Sequence, residues 1–189
     1  IHDRKLAEAA LSASEAKYRS LFNSMDEGFC ILQMIFDEQE RPIDYCYIEI
    51  NPVFERQSGL ANALGKTIRE LVPNIEPFWF DIYGQVALTG EPMRFEDQAQ
   101  SMGRWFDVYT FRVGEPHERR VAVLFNDITA QKETEAQLQR AAKLDAFRVT
   151  LSDALRVLSD PVEVQATACR LIGDELNASG VYYYEYDEA

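Results

Sequence analysis

The stretch Val121-Ala122-Val123-Leu124-Phe125-Asn126-Asp127-Ile128-Thr129 constrains this chain more than any other. Residues 121–125 are apolar and partly β-branched, as suits a buried strand. Asp127 and Thr129 stand just before Gln131-Lys132-Glu133-Thr134-Glu135, where Asp or Thr can cap a helix and early acids suit its N-terminal dipole. Residues 130–158 then contain neither Gly nor Pro. A core strand therefore runs into a long helix with almost no slack between them, a junction able to pass strain out of a small domain.

Upstream of that junction the pattern reads as one compact block. Residues 3–24 have helical spacing of Leu6, Ala9, Ala10, Ala13, Ala16 and Leu21 among charged positions. Gly28 closes this region, and residues 29–36 and 43–50 read as two strands around the polar turn at 37–42. Asn51-Pro52 is expected to stop the second strand, with Asn51 as N-cap and Pro52 at the first helical position of a short helix ending near Gly59. Residues 61–75 show little regularity. Their Gly65-Lys66-Thr67 lacks the upstream glycine and context of a phosphate loop.

Residues 77–89 predict a helix closed by Gly90, and three strands follow at 93–99, 104–113 and 119–126. Two strands, several helices and then three strands in series predict an α+β domain: a five-stranded antiparallel sheet with helices on one face. It is flanked by an N-terminal helix and a long C-terminal helix.

Past the junction, Leu144, Phe147, Leu151, Ala154 and Leu158 recur at three- and four-residue intervals, the spacing of a coiled-coil seam. Leu144, Phe147, Leu151 and Leu158 are the candidate dimer contacts; packing of this helix on its own domain is the other reading. After Asp160-Pro161, residues 162–176 predict a further helix, and Val181-Tyr182-Tyr183-Tyr184-Glu185-Tyr186 a strand. One strand makes no stable sheet, so this end is expected to open a second, incomplete module. The chain is read as a piece of something longer, divided into 1–24 (amphipathic helix), 25–129 (α+β domain), 130–158 (linking helix) and 159–189 (second module).

Composition removes several classes of function. The 189 residues carry a formal net charge of −13, which argues against a nucleic-acid surface. No apolar run approaches a membrane span, and residues 1–5 do not open a signal peptide, so a cytoplasmic location is expected. Cys30, Cys46 and Cys169 have neither disulfide nor zinc spacing. His2 and His117 offer no sheltered imidazole, and the carboxylates have no metal-ligand spacing. No catalytic or metal-binding residue is expected.

In order along residues 15–130, Tyr18-Arg19-Ser20-Leu21-Phe22, Asp26-Glu27-Gly28, Ile50-Asn51-Pro52-Val53-Phe54, Gly59 and Asp127-Ile128-Thr129 resemble a PAS domain of the bacterial sensory type. The segment from Leu151-Ser152-Asp153-Ala154-Leu155 to Val181-Tyr182-Tyr183-Tyr184 is similar to the start of a GAF domain. The resemblance implies a sensory module of a larger protein, foremost a two-component sensor histidine kinase, with phosphotransfer done by a downstream kinase core. It implies a homodimer through the N-terminal and linking helices. A different output, such as a diguanylate cyclase or transcriptional regulator, or a ligand-free dimerisation scaffold, is the alternative.

Haem-binding relatives place an axial His on the helix before the last three strands, and residues 77–89 contain none. Light-sensing relatives place an adduct-forming Cys after the Asn-Pro helix, where no Cys lies between Cys46 and Cys169. Haem and a covalent flavin adduct are therefore disfavoured, and a non-covalent small ligand stays open. Such a ligand would lie between sheet and helices, with Phe54, Phe78, Tyr83, Tyr109 and Phe125 as candidate lining residues that could equally fill a core. Trp105, Asp127, Ile128 and Thr129 are the relay candidates; Asp127 could equally be a plain structural cap.

Overall fold

A computed structural model describes residues 2–178 and 180–183. The chain divides into two compact units, residues 1–130 and 131–189.

The first unit begins with α1 (His2–Ser24), followed by β1 (Gly28–Phe36) and β2 (Pro42–Ile50). Three helices come next, α2 (Phe54–Ser58), α3 (Ile68–Leu71) and α4 (Phe78–Thr89), then β3 (Met93–Ala99), β4 (Arg104–Val113) and β5 (Arg120–Asp127). The five strands form one antiparallel sheet in the order β2-β1-β5-β4-β3. The last strand thus sits at the centre, between the first strand and β4, which is why its residues 121–125 are almost uniformly apolar. Both of its faces are covered.

Strand alternation sorts the side chains. Leu32, Val108, Val121, Val123 and Phe125 face α2–α4 and pack with Phe54, Ile68, Trp79, Phe80, Tyr83 and Val86 in the main core. On the opposite face Phe29 and Ala122 pack with Phe22 of α1, with Ile31, Phe111 and Leu124 beside them. Helices α2–α4 lie on one face as expected, and α1 covers part of the other. Its attachment is partly polar: the Tyr18 hydroxyl donates to Glu49 Oε1 at 2.9 Å. Burial, and then the Glu49 carboxylate, push the Tyr18 pKa up to about 12, so the phenol keeps this proton across the neutral range.

Two local outcomes differ from the sequence expectations. Asn51 does not cap α2, whose N-cap position is Val53. Its amide is used across the chain, accepting from the Phe29 N–H at 3.0 Å and donating to the Glu27 carbonyl at 2.9 Å. An amide able to do both jobs pairs the buried N–H of Phe29 in β1 and the carbonyl of Glu27 just before that strand. The second concerns residues 61–75, which contain α3. Thr67 accepts from the Glu70 N–H while the Glu70 carboxylate accepts from the Thr67 N–H, a complete capping box.

Gly84 in α4 owes its identity to close packing. A Cβ there would lie 2.6 Å from the Pro42 ring, which is too rigid to yield. Gly84→Ala should therefore destabilise this unit by about 1–3 kcal/mol, the usual cost of overpacking. Urea unfolding followed by tryptophan fluorescence measures it.

In the second unit the helix α5 (Thr129–Arg156, whose first two residues belong to the first unit) continues past residue 131, and α6 (Pro161–Leu176) follows. Asp160 caps α6, accepting from the Val162 N–H at 3.3 Å, with Pro161 in the first turn. Residues 181–183 are not in a strand. The strand expected from Val181 onward is thus not formed at those positions, where no strand among the described residues supplies a partner ladder, and Tyr184, Glu185 and Tyr186 lie outside the described residues. No helix among the described residues is long and apolar enough to cross a membrane.

Candidate functional site

The main core holds a partly open cavity of about 60 Å³ between the sheet and α2–α4. Its walls include Phe54 and Ser58 from α2, Ile68 from α3, Trp79 and Tyr83 from α4, and Phe106 and Phe125 from the sheet. Aromatic rings meet edge-on around it: Phe54 lies 5.1 Å from Tyr47 and 5.6 Å from Phe125, and Phe125 lies 5.6 Å from Phe106. Such edge-to-face contacts fix ring positions better than area burial alone.

Polar atoms reach this region from Cys30, Tyr45, Tyr47 and Tyr83. Burial pushes the Cys30 thiol and the hydroxyls of Tyr45, Tyr47 and Tyr83 far above their ordinary pKa values, so all four stay protonated. Among the described residues, the buried Trp79 Nε1–H has no hydrogen-bond partner. No Asp, Glu, Lys, Arg or His lines the cavity.

Of the sequence-stated lining candidates, Phe54, Tyr83 and Phe125 are on its wall. Phe78 is half-buried beside Trp79, with the ring centroids 4.8 Å apart, and lies behind the wall. Tyr109 is a correction. It is 41% exposed on the outer face of β4, its ring 5.7 Å from Phe111. Alternation along residues 104–113 separates the two faces of β4 without saying which one is buried, and Phe106, Val108 and Thr110 face inward.

The four junction candidates come together at one end of the sheet. The Ile128 N–H donates to the Trp105 carbonyl at 2.8 Å, and the Trp105 N–H donates to Thr129 Oγ1 at 2.9 Å. Asp127 Oδ1 accepts from the Thr129 N–H at 2.9 Å and from its hydroxyl at 2.5 Å. The β4–β5 ladder thereby continues by side chain and backbone into the first turn of α5.

Two participants had no distinctive sequence signal. Arg104 opens β4 and pairs with Asp127 Oδ2 at 2.5 Å, while also donating to the Gln57 carbonyl at 3.0 Å. Gln57 Oε1 in turn accepts from the Asp127 N–H at 2.8 Å, and its Nε2 donates to the Asp26 carbonyl at 3.3 Å. Gln57 sits on α2 between the two cavity residues Phe54 and Ser58. One short helix therefore supplies part of the cavity wall and also holds the strand-to-helix junction.

In the second unit, Leu144 is half-exposed, and Phe147, Leu151 and Leu158 are partly exposed. No residue of α5 is buried among its described side chains.

Residues 16–92 match the protein family described as PAS domain. No curated protein matches the chain. Among solved structures, the PAS domain of an HTR-like protein from Haloarcula marismortui is 18% identical, over 66% of this chain and 99% of that one, at a TM-score of 0.47. The LOV protein of Rhodobacter sphaeroides is 17% identical, over 89% of this chain and 99% of its own, at 0.46. The PAS domain of BvgS from Bordetella pertussis is 17% identical, over 69% and 98%, at 0.42.

Proposed function

We propose that this chain is the sensory part of a larger cytoplasmic signalling protein, foremost a two-component sensor histidine kinase. In this reading occupancy of the cavity shifts α2, and α5 relays the shift across a homodimer to an output domain downstream. Residues 1–24 would supply a second dimer contact, and residues 159–189 would begin a GAF-like module. The segment itself performs no catalysis.

The observation supporting the relay is the double role of α2. Movement of Phe54 or Ser58 cannot leave Gln57 in place, and Gln57 is bonded to Asp127 by a side chain and to Arg104 by a carbonyl. Asp127 in turn holds the first turn of α5 through Thr129. Packed cores respond to small displacements by switching between discrete arrangements rather than by stretching.

The dimer is tested on α5. Leu144→Asp combined with Leu151→Asp should convert a dimer to a monomer, while far-UV circular dichroism and the thermal transition of the sheet stay unchanged. Light scattering reads the mass. An unchanged dimer would remove α5 from the interface. A monomeric parent would remove the dimeric relay altogether.

A further inference from the structure

The core cavity is partly open, and three of its residues show on which side. Ser58, Leu60 and Met102 line both the cavity and a surface groove, whose other walls include Gly59, Val72 and Arg104. Residues common to both form the partition between them. Beyond that partition Cys30, on the inward face of β1, lines the cavity and is only 3% exposed. Solvent in the groove is thus kept from the inner wall.

The members of the partition are not held equally. Ser58 is fixed, its hydroxyl donating to the Phe54 carbonyl at 2.8 Å and accepting from the Leu60 N–H at 3.1 Å. The side chains of Leu60 and Met102 are half-buried and rest on the core by apolar packing. Met102 belongs to the short 3-10 turn Gln100–Met102 between β3 and β4. The ladder between those strands ends at the pair Ala99 and Arg104, so the turn lies beyond it. It closes on Gly103 at φ 65°, a left-handed conformation that glycine adopts without steric cost. A carboxylate ties it down from the segment before α4. Glu76 Oε1 accepts from the Ser101 N–H at 2.8 Å, and Oε2 accepts from the Ser101 hydroxyl at 3.4 Å. This tie is exposed, and breaking it leaves every strand pairing in place.

We propose that the turn Gln100–Met102 is a lid on the core cavity, latched by Glu76. Lifting the turn draws Met102 away from Leu60 and opens a passage from the groove to Cys30. The inference goes beyond the sensory reading above and does not rest on it, because it concerns access alone.

Cys30 reports on the passage. The full chain is exposed at mildly alkaline pH to methyl methanethiosulfonate, a small uncharged reagent that transfers its methylthio group to a thiol. Modification of Cys30 is timed by peptide mass, which separates it from Cys46 and Cys169. Glu76→Ala should speed this modification about fivefold to tenfold, the worth of one hydrogen bond. Gly84→Ala lowers the stability of the whole unit without touching the lid, and should leave the rate unchanged. Urea below the unfolding transition should also have little effect, since a lifted turn exposes little surface.

A rate that climbs with urea, and rises in Gly84→Ala by the factor that its stability loss predicts, assigns the exposure of Cys30 to unfolding and overturns the lid. An unchanged rate in Glu76→Ala, or no modification of Cys30 in that variant, overturns it as well. The sensory reading is untouched by any of these results, since it concerns what movement of α2 does to α5.

Discussion

Phe54→Ala is expected to lower the stability of the first unit by about 3–5 kcal/mol, the range for removing a buried aromatic ring from a core. The side chain is 1% exposed and stands between the rings of Tyr47 and Phe125. Its loss removes both edge contacts and the apolar burial, and the neighbouring rings can close the gap only in part. Chemical denaturation at neutral pH measures the effect. The substitution should also join the vacated space to the existing cavity of 60 Å³. The variant should then bind benzene saturably where the parent does not, with an upward thermal shift as the readout. A loss below about 1 kcal/mol would mean that α2 collapses onto the sheet without strain.

Asn51→Leu should cost about 2–6 kcal/mol, for a different reason. The position is 2% exposed, and its side chain pairs the Phe29 N–H and the Glu27 carbonyl. Leucine fills similar space but leaves a donor and an acceptor buried without partners, each costing about 1–3 kcal/mol. Asn51→Asp separates the two bonds. An ionised carboxylate still accepts from Phe29 but opposes the Glu27 carbonyl, whereas a protonated one can donate to it. The introduced acid should therefore have a folded pKa above its unfolded value. Its penalty should be fully present at neutral pH and shrink as pH falls through that raised pKa. Denaturation of N51D and parent at neutral and mildly acidic pH reads the difference. A penalty independent of pH would mean that the Glu27 bond contributes little.

The two sites show where sequence reasoning stops. Asn51 before Pro52 has the form of a helix cap, because Asn accepts well from backbone N–H groups. The same property serves a strand as readily, and only the approach of β1 decides which backbone is near. Gln57 is still less legible. A glutamine on a short helix has no local pattern, yet it binds Asp127, seventy residues onward. Helix α3 did have a local signal, Thr67 followed by Glu70, obscured by Gly65 and Pro73 on either side.

Local chemistry by itself determined the elements of this protein. Gly59, Gly90, the apolar run at 121–125 and the Gly- and Pro-free stretch beyond Thr129 set where strands and helices lie, because capping, periodicity and chain-breaking act over a few residues. Those elements were enough for an antiparallel α+β domain with a helix leaving its last strand. Only the tertiary structure decided that this strand lies at the centre of the sheet, that Tyr109 faces outward, and that Gln57 joins cavity to junction. It also set the cavity at about 60 Å³. Side-chain periodicity divides a strand into two faces but does not name the buried one, and the volume left between packed rings is a property of all their positions at once.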